Sequence, residues 1–151
     1  MLNILGIDTS STATALVLTR NKKIISFTLI QPKSKNITVR CLEIIKDFET
    51  FISENTIDMI NLESVAYGAK GRTTDLAMLL GAIYYYCLKK DIKTNLVAPT
   101  QLKKSFCGNG RASKDDMIYF MRDNFPAEFN KYKPYKKIDD LVDAFALSIY
   151  I

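Results

Sequence analysis

Four acidic residues on three separated segments could do chemistry together. Asp8 ends the run Ile4-Leu5-Gly6-Ile7-Asp8, Glu63 ends Met59-Ile60-Asn61-Leu62-Glu63, and Asp140 and Asp143 lie three apart in the last helical pattern. Acids brought from strand ends and a helix start to one point repel unless cations join them. Oxygen donors of this kind suit Mg²⁺ or Mn²⁺ and not zinc. Two such ions per site can activate a water and stabilise the leaving oxygen in phosphodiester cleavage. Taken singly, each acid has an ordinary use: Asp8 can cap a turn, Glu63 can pair with a lysine, and Asp140 can serve the helix dipole. Asp139 points elsewhere on the helix and reads as solvated or supporting.

The composition narrows the chemistry. With no histidine in 151 residues, Ser-His-Asp and Cys-His triads, HNH-type nucleases and histidine zinc sites are excluded. Proton transfer must run through carboxylates, Lys, Tyr or water. The net charge is +5 even though several acids are wanted inside a site, so the remaining surface is more basic still. That fits a polyanionic partner, although lysines filling solvated positions give the same total. Cys41, Cys87 and Cys107 are widely spaced, without a CxxC pair, and read as inert thiols in a reducing cytoplasm. The 48% hydrophobic content supports one domain over residues 1–151, and no apolar run is long enough for a membrane span. The opening stretch lacks a basic leader and apolar signal region, so a cytoplasmic protein is expected.

The elements that must position these acids follow from the hydrophobic pattern. Leu2–Asp8, Ala13–Thr19 and Lys23–Ile30 read as three strands joined by the polar turns 9–12 and 20–22, an antiparallel meander. Val39, Leu42, Ile45, Phe48 and Ile52 recur at helical spacing over 38–54, with Thr38 as N-cap. Ile57–Glu63 is a nearly all-apolar strand suited to the middle of a sheet. A helix capped by Thr74 or Asp75 runs to Lys89, Lys93–Ala98 is a strand, and Pro99 opens a short helix stopped at 107–110. Ser113 caps Lys114–Phe125, with Asp115 and Asp116 in its first turn. A basic loop over 131–137 leads to a final helix over 138–151. The order predicts an α/β fold with a mixed five-stranded sheet and flanking helices. If strands one and four are neighbours, Asp8 and Glu63 come close, with the last helix laid across their ends.

Gly6-Ile7-Asp8, Leu62-Glu63-Ser64-Val65, Cys107-Gly108-Asn109-Gly110-Arg111-Ala112-Ser113-Lys114 and Asp140-Leu141-Val142-Asp143-Ala144 occur in this order. They resemble the signature segments of RuvC Holliday-junction resolvases, within the RNase H-like fold. The resemblance implies that Asp8, Glu63, Asp140 and Asp143 are the metal-binding catalytic acids. It also implies metal-dependent hydrolysis of four-way and other branched DNA, leaving 5′-phosphate and 3′-hydroxyl nicks. Lys103 or Lys104, and Lys114, align with family lysines near the scissile phosphate. Thr9-Ser10 after the first acid and the longer stretch 64–70 resemble the phage and poxvirus branch. That implies a looser sequence preference and speaks against partnership with the RuvAB motor.

Lys70, Arg72, Lys103, Lys104, Arg111 and Lys114 lie on loops and helix starts flanking the acids, where cations can hold phosphates. Lys114 at a helix start opposes the dipole, a small cost that favours a functional role. Tyr67 stands beside Gly68 in a loop. The family resemblance implies that it stacks on bases at the junction, while a half-buried loop tyrosine is the plainer alternative. The segment 76–88 is apolar around the whole helix, so one face should cover the sheet and the other a second copy in a homodimer, or else the region 99–125. Two rival readings are a junction-binding module without catalysis and another RNase H-like nuclease. A third, an actin-like nucleotide-binding fold, shares the opening strand but needs a second lobe that this length lacks.

Overall fold

The computed structural model describes residues 1–10, 12–65 and 73–151. Aliphatic and β-branched runs separated by short polar turns fold the start of the chain into a meander of β1 (Asn3–Thr9), β2 (Thr14–Arg20) and β3 (Lys23–Ile30). Asn21 and Lys22 take φ of 51° and 61°. That pair of left-handed residues makes the tight hairpin turn that places Arg20 opposite Lys23. The chain then crosses through α1 (Ile37–Glu54) to β4 (Met59–Glu63), and through α2 (Thr73–Lys89) to β5 (Lys93–Val97). β4 and β5 join parallel to β1, giving the order β3-β2-β1-β4-β5. Four more helices follow: α3 (Pro99–Cys107), α4 (Lys114–Asn124), α5 (Pro126–Phe129) and α6 (Ile138–Ser148).

The sheet is covered on both faces. Leu5, Ile7, Leu16, Leu18, Ile60 and Leu62 point into one layer with α1 and α2. Ala15 and Val17 point into the other, with α3, α4 and α6. This alternation is the period-two rule of strands. It puts Gly6 and Asp8 of β1, and Asn61 and Glu63 of β4, on the α6 face. This is the five-stranded mixed sheet with flanking helices expected from the element order, and it agrees with the RNase H-like fold that the family resemblance implies.

Local details differ where caps compete. The N-cap of α1 is Asn36, whose side chain accepts from the N–H groups of Thr38 at 2.9 Å and Val39 at 3.2 Å. Thr38 is therefore inside the helix, because Asn36 reaches the unpaired amides first. Thr74 and Asp75 likewise lie within α2. The last helix ends at Ser148 rather than residue 151, since Asn61 Nδ2 donates to the carbonyls of Leu147 and Tyr150 at 2.8 Å each. A buried side-chain amide does there what further helical turns would have done. The short α5, opened by Pro126, has no counterpart among the elements expected from the hydrophobic pattern. The Ser113–Asp116 capping box closes reciprocally, at 2.8 and 3.1 Å.

Candidate active site

The site lies at the ends of β1 and β4, with α6 across them. β1 and β4 pair in parallel from Ile4–Met59 to Ile7–Leu62, so the next rung sets Asp8 beside Glu63 on the α6 face. Gly6 lets α6 come down onto that face: a Cβ there would lie 2.0 Å from the Ala144 carbonyl oxygen and 2.5 Å from the Ser148 nitrogen. The helix backbone thus rests on the strand backbone, and only a glycine permits it. Asp140 and Asp143, one turn of α6 apart, are carried against the strand ends by this contact.

Burial and mutual repulsion dominate the electrostatics. Asp8 is buried and its carboxyl is held well above the usual range, first by burial, then by the charges of Glu63, Asp143 and Asp140. It shares a hydrogen bond with Glu63, whose own affinity for a proton is raised by burial and eased by that bond and by Lys103 and Lys114. Asp143 is pushed up to about 7, by burial and then by Glu63. Asp140 is raised by burial and by Asp139. Its buried Oδ2 has no hydrogen-bond partner among the described residues. In that set no three acidic side chains already stand close enough around one point to hold a cation. The arrangement is an open one of mutually repelling carboxylates. Their donor set fits a hard divalent cation: acceptor oxygens, one of them buried and orphaned, on groups that raise each other's proton affinity.

The basic residues sort themselves by position. Lys114 Nζ donates to Asp139 Oδ2 at 2.6 Å, which raises its proton affinity and holds it beside the acids. Asp139, read from sequence as solvated or supporting, is thus the tether of Lys114, and its own carboxyl stays low through that lysine against the effect of burial. Of Lys103 and Lys104, half-buried Lys103 acts on Glu63, while exposed Lys104 packs beside Gly110. Arg111 is exposed on the turn before α4, its N–H donating to Asn109 Oδ1 at 3.0 Å. Tyr67, Lys70 and Arg72 fall outside the described residues. Sequence reasoning left Asp139 between two roles, and it missed Asn61, fully buried, which takes a bond from Asn95 Nδ2 at 2.9 Å while holding the end of α6. A polar residue alternating with apolar ones on a central strand was the signal for Asn61.

Comparison with known proteins decides the family. The model of the crossover junction endodeoxyribonuclease RuvC family matches residues 4–150. The chain belongs to the RuvC family. The RuvC of Aliarcobacter butzleri is 28% identical over 98% of this chain and 96% of that protein. That of Wolinella succinogenes is 24% identical, over 98% and 92%. Among solved structures, the Thermus thermophilus RuvC in complex with a Holliday junction substrate superposes with a TM-score of 0.74 at 16% identity, covering 98% of this chain and 91% of that one. A fowlpox virus resolvase, also solved with Holliday junction DNA, gives 0.58 at 16%, covering 98% and 95%. The RuvC match spans every segment from which the acids come.

Proposed function

We propose that this chain is a structure-selective DNA endonuclease that resolves Holliday junctions and other branched DNA by divalent-metal-dependent hydrolysis, leaving 5′-phosphate and 3′-hydroxyl nicks. The observation that carries the reading is the gathering of Asp8, Glu63, Asp140 and Asp143 at one end of the sheet, in a chain of the RuvC family. In this reading Asp8, whose carboxyl feels the charges of Glu63, Asp143 and Asp140, would be shared between two Mg²⁺ or Mn²⁺ ions, with Glu63, Asp140 and Asp143 as the further ligands. Such ions supply an activated water and charge stabilisation on the leaving oxygen. The chain's own groups do the rest. Lys114, tethered by Asp139, and Lys103 stand where a phosphate next to the acids needs positive charge. Lys104 and Arg111, with Tyr67, Lys70 and Arg72 from the sequence after Glu63, complete the proposed DNA-binding set. Among the described residues no helix is long and apolar enough to cross a membrane, in keeping with action on DNA in the cytoplasm.

Two finer parts belong to the same reading. One is a homodimer through α2, which would present two sites to a two-fold junction. The other is the phage- and poxvirus-like branch, without a RuvAB motor, which rests on Thr9-Ser10 and the stretch after Glu63. The bacterial RuvC superposes better than the viral resolvase, so the branch rests on those residues alone.

The test is cleavage of a labelled four-way junction with Mg²⁺, beside an Asp8→Asn variant and a linear duplex. Paired nicks on the junction alone, lost in the variant while binding persists, are expected. Tight binding without cleavage in Mg²⁺ or Mn²⁺ would make the protein an architectural one. Varying the bases at the crossover in the same assay tests the branch, which a strict preference for one sequence would exclude.

A further inference from the structure

Positive charge reaches the acid cluster from two sides. Lys103 comes from α3, which follows β5, and Lys114 from the start of α4, where it pairs with Asp139 of α6. On the β2–β3 side runs the connection from α5 to α6, which carries Lys133, Lys136 and Lys137. This loop is built rather than loose. Tyr132 is fully buried and meets Phe27 of β3 edge-on at 5.2 Å, and Tyr135 meets the same ring at 5.7 Å. The Tyr135 N–H donates to the Tyr132 carbonyl at 2.9 Å, closing the turn over Lys133 and Pro134. Lys133 and Lys136 are exposed. Lys137 lies at the start of α6 with its Nζ 3.5 Å from Thr12 Oγ1, on the loop that follows the β1 strand end bearing Asp8. Its charge is felt at Asp140. Among the described residues none of these three lysines forms an ion pair, whereas Lys114 and Lys131 do.

A cluster of carboxylates repels DNA until cations offset it, so the rim on each side must supply the attraction. Resting on the junction-cleavage reading above, we infer that Lys133, Lys136 and Lys137 form a second phosphate-binding flank. They hold the DNA backbone beside the loop that follows β1, where Lys137 meets Thr12, apart from Lys103 on α3. Because Tyr132 and Tyr135 pin the loop to β3, little ordering is left to be done on binding.

The experiment compares the full chain with two variants of equal charge loss. One is K133Q/K136Q/K137Q. The other is K46Q/K89Q/K90Q, which removes three lysines from the groove between α1 and α2 on the opposite face of the sheet. Binding of a four-way junction is measured by fluorescence anisotropy in EDTA, which prevents cutting, from about 50 to 200 mM salt. Each phosphate contact contributes roughly 0.9 to the slope of log affinity against log salt. The loop variant is expected to lose about 2 to 3 from that slope and to bind roughly tenfold or more weakly at 100 mM salt, with an unchanged melting temperature. The groove variant is expected to keep the wild-type slope. A loop variant within about 0.5 of the wild-type slope, or a groove variant that falls as far, overturns the proposal. Wild-type protein that neither binds nor cuts the junction would instead sink the resolvase reading, and the flank with it.

Discussion

The acids at this site are proton-hungry for a physical reason, and that has a sign. Asp143 rises from an ordinary 3.8 to about 7, and Asp8, Glu63 and Asp140 are raised as well; only Asp139 in the group is lowered. Between those two values the folded chain holds protons that the unfolded chain has released, so stability falls as pH rises through that window. Protein in EDTA should therefore melt several degrees lower at pH 8 than at pH 5. Mg²⁺ should restore much of the loss at pH 8 and do little at pH 5, where protons compete for the same oxygens. Differential scanning calorimetry at the two pH values checks this, and a melting temperature that does not fall with pH in EDTA would remove the repulsion account. The Lys114–Asp139 pair adds little to stability, since its side chains are 65% and 30% exposed and such pairs contribute no more than about 1 kcal/mol. Its effect is on where the ammonium group sits.

At the scale of elements, the site depends on how closely α6 lies on β1. Gly6 sets that distance, and Asn61 pins the far end of the helix through the Leu147 and Tyr150 carbonyls. Gly6→Ala would drive a methyl into helix backbone, which cannot rotate away as a side chain can. The expected cost is roughly 3 kcal/mol or more, at or beyond the upper end of ordinary overpacking. Cleavage should be lost even where the variant is still folded, because Asp140 and Asp143 move off the strand ends together. Urea denaturation with a parallel cleavage assay reads both effects. An unshifted urea midpoint would mean that α6 does not sit on Gly6.

At the scale of the molecule, α2 has a face that the monomer leaves bare. Leu79, Ile83 and Cys87 are buried against the sheet, yet Met78, Tyr85 and Leu88 are 62, 67 and 56% exposed. The alternative cover, residues 99–125, packs on the opposite face of the sheet with α6, so that expectation is corrected. Gly81 on the bare side has open space where a side chain would stand, which allows a second helix to approach closely. In sedimentation equilibrium at micromolar concentration the wild type is expected to be a dimer, and M78E/Y85E a folded monomer that still binds DNA but cuts the two opposing strands without coordination. A monomeric wild type would remove the interface.

The strand and helix order and the mixed sheet were legible in the sequence, as were the candidate acids, because residue type and period are local properties that no packing has to reveal. Strand periodicity puts Asp8 and Glu63 on one face once the two strands pair as neighbours. Caps and ends were less legible: Asn36 outcompeted Thr38, and a buried amide from β4 ended α6, since satisfying a helix terminus draws on partners far away in the chain. Tertiary structure alone decided that Lys103 rather than Lys104 faces Glu63, that Asp139 holds Lys114, and that the loop 133–137 borders the site. Each of those depends on the distance between elements remote in sequence, which is set when α6 settles on Gly6 and the rest of the layer packs around it.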